Sequence, residues 1–495
     1  MNTLYTGFGH TAFTFAYESL VAKSAVAQTS IPPGALITFL QKGLEYVGIE
    51  EHINDDGSIR EFDTDYSLLS PFICDSIATK EDRRKKRDIE KNGSGSNKDR
   101  SNKMDVDEEK SELSNNVVPS TVVLKNENGT RLLHLLGHQG EVFMCIWNPL
   151  QHQLASGSAD GMCRLWGLSE MDEAKWNSPV DCDLNLRTAV MPHSTHVGER
   201  FKDVTSVTWS PCGTMIATGC YDGMARVWDS HGQLKTLLKE HTGPVFSLKW
   251  NKHDNLILSG SYDRRAIVWS AETGQIVKSF LLHSAPVLDV DWKDGDTFAT
   301  CSSDKVIHIC KVSGDESVAL KSLLGHTDEV NAVCWSPGGA LLASCSDDST
   351  AKIWSIEDGL VHDLTGHVKE IYTVRWTPTG PNSNNPDKEL LLCTASFDGT
   401  VKIWSALTGA MVHSLRRHSQ PVYSISPSPN GNFIATGSLG GHVTVWSIKD
   451  SSIGSPVREI RGEGDTFDVS WSHDGTYLCA CFSSGALHVS EFSQP

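Results

Sequence analysis

The chain has 495 residues, with 43 Lys and Arg against 61 Asp and Glu, and a formal net charge of −18. That balance argues against sequence-specific nucleic-acid binding, which needs clustered Lys and Arg to track phosphates, and suits basic partners instead. No apolar run approaches the ~18 residues of a membrane span and no signal-peptide core opens the chain; the 13 cysteines lack C-x-x-C spacing and read as small buried apolar residues of a reducing compartment.

In chain order, residues 1–30 carry Phe13, Tyr17, Leu20 and Val21 at helical spacing, an apolar stripe that needs a partner. Residues 31–79 begin with Pro32-Pro33, which a helix start tolerates, and put Leu36, Leu40, Leu44 and Val47 on one face. Two short amphipathic helices bury little alone, so homo-oligomerisation through these stripes is expected, with packing of one stripe on the other as the alternative. Over residues 80–117 the composition turns to Lys, Arg, Asp, Glu, Ser, Asn and Gly, as in a disordered linker. Within it Arg83, Arg84, Lys85, Lys86 and Arg87 form a basic run, read as a nuclear localisation signal or as a solvated charge run.

Residues 118–495 are periodic. His138, His241, His283, His326, His367 and His418 each open a similar unit, at a period of about 42 residues. Residues 325–354 (GHTDEVNAVCWSPGGALLASCSDDSTAKIW) write one unit out: apolar runs separated by a Ser-Pro-Gly-Gly turn and an Asp-bearing turn, closing on Trp. Four short strands per period, with Trp closing the third, resemble a WD-repeat β-propeller. The expected fold class is all-β, an eight-bladed propeller with a small α-helical N-terminal region and a disordered linker. Residues 130–136 (TRLLHLL) stand where later units have their outer strand, and the last unit ends after three strands. The early strand is therefore expected to complete the eighth blade. Residues 169–202 and 379–388 interrupt the period and are expected as surface loops.

The resemblance implies a buried hydrogen-bonded chain of His, Ser or Thr, Asp and Trp in each intact unit. The sets are His138, Ser156, Asp160 and Trp166; His241, Ser259, Asp263 and Trp269; His326, Ser344, Asp348 and Trp354; and His367, Thr394, Asp398 and Trp404. The second unit has Thr218, Asp222 and Trp228 but no clear His, the fourth has Cys310 in place of Trp, and the seventh has Gly440 in place of Asp. A degenerate eighth unit has Ser484 and Ser490 at the Asp and Trp positions. An array of His, Ser and Asp that recurs at fixed offsets reads as scaffold rather than as one active site. No phosphate loop, nucleophile elbow or zinc motif accompanies it, so no enzyme activity, cofactor or metal is expected.

The resemblance also implies that two sets of positions share one rim of the propeller. Phe143, Phe246, Tyr372, Tyr423 and Phe467 follow the apolar residue that comes after Gly-His, and Tyr221, Tyr262 and Phe397 precede the blade Asp. Glu141, Asp203, Glu329, Asp347 and Glu370 fall at equivalent places. An aromatic and acidic rim suits a peptide bearing Lys or Arg, through carboxylate pairing and cation–π contact; the alternative is rings that only pack on neighbouring loops.

A closer resemblance lies in Gly7-Phe8, Ala12-Phe13, Phe15 and Glu18, which look like the second half of a LisH motif, and in PPGALITFLQKGLEYV (32–47). That segment is similar to the F-box-like part of transducin-β-like co-repressor subunits. The propeller agrees with that family in EVFMCIWNP (141–149), HSAPVLDVDW (283–292), LLASCSDDST (341–350) and EIYTVRWTPTGPNSNNP (370–386). LisH motifs begin with an apolar helix where this chain has only MNTLYT, so weakened oligomerisation is expected. The resemblance implies a nuclear, non-enzymatic scaffold of a histone-deacetylase co-repressor complex, whose N-terminal stripes hold a co-repressor segment and whose rim docks on histone tails. The alternative is a ubiquitin-ligase substrate receptor with residues 31–75 as adaptor; against it, the W-D-x-R turn is absent, Trp228-Asp229-Ser230-His231 being nearest. A G-protein β subunit fits the repeat but neither the N-terminus nor the eighth unit.

Overall fold

A computed structural model of the chain describes residues 121–127, 130–171, 173–176, 184, 186–193, 202–314, 316–449 and 452–492. The apolar stripes within 13–47 and the basic run at 83–87 lie outside the described residues.

The alternating runs fold as eight antiparallel sheets, seven of four strands and one of five. Seven are meanders in chain order, as in Val245–Trp250, Leu256–Ser261, Ala266–Ser270 and Ile276–Phe280. The first strand of each blade packs on the first strand of the next, and that of the eighth on that of the first, which closes an eight-bladed β-propeller. The seam is sealed as expected: Thr130–Leu136 lies antiparallel to Leu487–Glu491, with Leu132 opposite Ser490 and Leu135 opposite Leu487. One strand was not anticipated. Thr121–Glu127 (β1) pairs with Thr130–Leu136 (β2) and gives blade 8 its fifth strand.

The core lies between blades. One cluster joins Ala217, Ala225 and Val227 of blade 2 to Val245, Leu248 and Trp250 of blade 3, so each sheet buries both faces against its neighbours. Seven of the eight innermost strands end on Trp, and Pro427 ends the other. Six of these seven indoles reach back one blade, Trp335 being the exception: Trp209 Nε1 donates to Ile146 O at 3.2 Å, Trp376 to Cys334 O at 2.9 Å, and Trp147 to Ser470 O across the seam at 3.0 Å. An innermost strand also has an edge that needs covering. Side chains of the adjoining blade cap it, Ser206 Oγ accepting from Leu248 N at 3.1 Å and Asp468 Oδ2 from Cys145 N at 3.1 Å.

Residues 169–202 are not simply a surface loop. Arg187–Pro192 pairs with Met162–Gly167 as the outer strand of blade 1, and a helical turn, Glu173–Trp176, buries Trp176 at a 5.9 Å stack on Tyr477. The insertion therefore sits within blade 1, between its third and fourth strands. A blade lacking its outer strand would leave Met162–Gly167 as a raw edge, which explains why RTAVMP is recruited despite its polar flanks. Residues 379–388 do lie mostly at the surface, and Lys388 Nζ crosses to blade 7, donating to Asn430 O at 2.7 Å.

Blade 4 repacks around its missing Trp. Phe298 stands directly opposite Cys310, where the other tetrad-bearing blades place Leu or Ile opposite Trp, as in Leu342 opposite Trp354. Large and small residues have exchanged strands, and Phe298 meets Phe280 and Trp292 edge-on at 5.2 and 5.4 Å.

Candidate partner-binding rim

The four sets read from the sequence are hydrogen-bonded chains. In blade 1, His138 Nδ1 lies 2.9 Å from Asp160 Oδ2, His138 Nε2 2.8 Å from Ser156 Oγ, and Trp166 Nε1 donates to Ser156 Oγ at 3.0 Å. The other three repeat this geometry at His241, His326 and His367 within 2.7–3.0 Å. Each Asp also accepts from backbone, as Asp160 does from Gln139 N and Met162 N, and so fixes the turn and the incoming loop together. Burial works to raise the carboxyls of Asp160, Asp263, Asp348 and Asp398; hydrogen bonds, chiefly from their His and from Thr350 or Thr400 where present, prevail and hold all four below the usual range. Burial lowers the imidazoles of His138 and His367. A neutral His then donates Nδ1–H to Asp and accepts the Ser hydroxyl at Nε2, as in a catalytic triad. The difference is access: Ser156, Ser259 and Ser344 are 0 % exposed, so no substrate carbonyl reaches them.

The second unit does have its His. His193 directly follows the outer strand of blade 1 and lies 2.7 Å from Thr218 Oγ1, which accepts from Trp228 Nε1 at 2.9 Å. Its Nδ1 donates to Met191 O rather than to Asp222, which pairs with Arg226 at 2.8 Å. Sequence reading missed it because the insertion displaces it, at 25 residues from Thr218 where His138 is 18 from Ser156.

One backbone bond repeats in all eight blades and defines the rim. The residue before each innermost strand accepts from the residue before the blade Asp position, at 2.9–3.1 Å: Glu141 O from Ala159 N, Asp203 O from Tyr221 N, Glu329 O from Asp347 N, Glu370 O from Phe397 N, and Asp465 O from Ser483 N among them. Directly after this bond each innermost strand carries a β-bulge that skips its second residue, as between Val142 and Met144 or Ile371 and Thr373. The skipped residues include Phe143, Phe246, Tyr372, Tyr423 and Phe467. Freed from the ladder, such a side chain is re-aimed, and those of Phe143, Tyr372, Tyr423 and Phe467 reach an adjoining blade.

Five rings form one unbroken arc over blades 6, 7, 8 and 1. Phe397 stacks on Tyr372 at 5.9 Å, Tyr372 on Tyr423 at 4.4 Å, Tyr423 meets Phe467 at 6.0 Å, and Phe467 meets Phe143 at 5.6 Å. Of the other three aromatics, Phe246 and Tyr262 meet edge-on at 6.2 Å on blade 3, and Tyr221 is exposed on blade 2. Phe467, expected to be open to solvent, is buried in contact with Phe143 and Tyr423.

The acids also divide. Glu329, Asp347 and Glu370 gather on blades 5 and 6 at the Phe397 end of the arc, while half-buried Glu141 and Asp203 belong to blades 1 and 2. Glu329 is buried, not open, and accepts from Ser303 Oγ at 3.0 Å. Burial pushes its carboxyl up to about 7, with Asp347 and Asp328 adding and the Ser303 bond opposing. Burial likewise raises Asp347 to about 6, helped by Glu370 and opposed by Asn331 Nδ2, which donates at 2.7 Å. Asp465, at the same rim position on blade 8, was missed by sequence reading because no Gly-His precedes it; its carboxylate accepts from Gly440 N at 2.7 Å.

A family model described as WD domain, G-beta repeat matches residues 129–167, 192–229, 232–270, 274–311, 317–355, 359–405 and 409–447. The chain is 40% identical over 532 residues to F-box-like/WD repeat-containing protein TBL1X of Mus musculus, covering 98% of this chain and 96% of that protein. It is 36% identical over 603 residues to WD40 repeat-containing protein HOS15 of Arabidopsis thaliana, covering 98% and 97%. Among solved structures, the C-terminal WD40 domain of Sif2 matches with a TM-score of 0.61 at 23% identity, over 75% of this chain and 99% of that one, a likeness of fold.

Proposed function

As this chain belongs to the WD-repeat family, among the F-box-like/WD repeat-containing proteins, we propose that it is a nuclear, non-enzymatic scaffold of a histone-deacetylase co-repressor complex whose propeller rim binds basic protein tails, histone tails among them. One observation carries this reading: an arc of stacked rings runs directly into a group of three carboxylates, Glu329, Asp347 and Glu370, on a single edge of the propeller. Rings offer the apolar and cation–π surface that an Arg or Lys stem needs, and the carboxylates offer the counter-charge. Residues 13–47 are assigned to oligomerisation and to holding a co-repressor segment, and 83–87 to nuclear import.

The test is binding of the full chain to an unmodified basic histone-tail peptide over a salt series, beside Tyr372→Ala and Glu370→Ala. Loss of affinity in both variants, with wild-type affinity falling as salt rises, is the expected result; equal binding by all three proteins would remove the rim from the reading. The F-box-like name of the relatives favours a second reading, a ubiquitin-ligase substrate adaptor acting through residues 31–75. Cullin subunits co-purifying with the chain in place of deacetylase activity would select it.

A further inference from the structure

At the end of the blades opposite the rim, the seam between blade 8 and blade 1 brings together two imidazoles and a carboxylate. His152 lies in the turn between Val142–Trp147 and Gln153–Ser158, and His473 and Asp474 in the equivalent turn between Thr466–Trp471 and Tyr477–Phe482. One donor atom from each lies within 4.8 Å of the others. Among the described residues no other group of three His, Cys, Asp or Glu side chains converges in this way. We propose that His152, His473 and Asp474 form a binding site for one divalent transition-metal cation of the Zn²⁺ class, which ties the last blade to the first.

The donor set fits that ion. Two imidazoles and one carboxylate suit Zn²⁺ and its neighbours, whereas Ca²⁺ and Mg²⁺ ask for oxygen ligands. Bonds of about 2.0–2.1 Å in a tetrahedron set neighbouring ligand atoms about 3.3 Å apart. His152 Nε2 and Asp474 Oδ2 are 2.9 Å apart, so they need to open by only a few tenths of an ångström. His473 is on an exposed turn, its ring centroid 5.1 Å from that of His152, and a side-chain rotation brings its nitrogen in. Water would take the fourth position.

One of the ligands, Asp474, is also held from behind by hydrogen bonds, as metal ligands are. Ser472 Oγ and Thr476 N donate to Asp474 Oδ1 at 2.7 and 3.0 Å, and Thr476 Oγ1 donates to Oδ2. The His152 ring meets Tyr477 edge-on at 4.9 Å, and its carbonyl accepts from Leu168 N at 2.8 Å. Tyr477 itself is clamped between Trp147 and Trp176, at 5.8 and 5.9 Å, which gives the site an apolar floor. The ligands come from opposite ends of the propeller sequence, 322 residues apart. Binding therefore stabilises the closed ring by mass action, in proportion to ln(1 + [metal]/Kd).

The test uses the full chain stripped with EDTA and titrated with Zn²⁺ by calorimetry, and with Co²⁺ by visible absorption. His473→Ala and Asp474→Asn are run beside the wild type, with His231→Ala as a distant exposed control. The expected result is a Zn²⁺ affinity at least tenfold weaker and a lost cobalt spectrum in both ligand variants, with the control unchanged. Circular dichroism checks that the exposed variants fold. Zn²⁺ affinity and cobalt spectrum equal in wild type and His473→Ala, or no binding by the wild type, would overturn the proposal.

Discussion

His193 Nε2 lies 2.7 Å from the Thr218 hydroxyl, 25 residues further along the chain, and the pair ties the end of blade 1 to the second strand of blade 2. Because Nδ1 donates to Met191 O, Nε2 accepts the Thr218 proton, and the same oxygen receives the Trp228 indole. Thr218→Val should orphan both partners in a buried site and cost about 2–4 kcal/mol, read as a fall in the midpoint of denaturant unfolding. A loss under 0.5 kcal/mol would show that the pair carries no weight.

Acid should loosen the propeller through its imidazoles. Burial, with Arg226 adding, lowers His193 from 6.5 to about 3, and burial lowers His308 and His418 to about 4. A depressed folded pKa means the unfolded state takes up the proton first, so the stability is full above pH 6.5 and is lost as pH falls towards 4 and 3. His193 alone accounts for a loss on the order of 3 kcal/mol between pH 7 and pH 4. Stability measured in urea across that range should fall steadily, and His193→Gln should flatten the slope.

The rim should bind cations more tightly as pH rises. Glu329 titrates at about 7 and Asp347 at about 6, both raised first by burial, so the carboxylates a basic peptide needs are incompletely ionised at pH 6 and charged by pH 8. Peptide affinity should increase over that interval, and Glu329→Gln should weaken binding at pH 8 while removing most of the pH dependence.

Blade 4 offers a test of coupled packing. Cys310→Trp should destabilise by about 1–3 kcal/mol, because Phe298 already fills the space opposite. Adding Phe298→Leu should recover much of that loss, since the new indole can then reach Thr300 Oγ1 as Trp354 reaches Ser344. Thermal unfolding of the single and double variants measures the coupling.

Removing residues 1–136 should abolish cooperative unfolding, whereas removing 1–117 should leave it intact. The longer deletion takes β2 away from Leu487–Glu491, which leaves the eighth blade with a raw edge and removes the strand that seals the seam.

Much of this molecule could be read from the sequence because it depends on local pattern. Alternation with period two makes a strand, turn chemistry ends it, and a His, Ser or Thr, Asp and Trp at fixed offsets mark where four hydrogen-bonding groups must meet; repeated round the chain, these gave the blades and the early strand that closes the ring. The positions that broke the pattern were misread. His193 is hidden behind an insertion, Arg187–Pro192 lies inside that insertion and reads as loop, and Asp465 has no Gly-His before it, since an offset fails once residues are inserted or a motif residue is replaced.

What only the tertiary structure decided concerns residues of different blades. The sequence by itself put Tyr372, Tyr423, Phe467 and Phe143 at equivalent places, but ring closure makes Phe467 and Phe143 neighbours and so joins the four into one arc. It likewise sets His152 beside Asp474 across the seam. Periodicity fixes the direction of a side chain within its own strand; which side chains meet depends on the rotation between blades and the closure of the ring, and no single repeat encodes either.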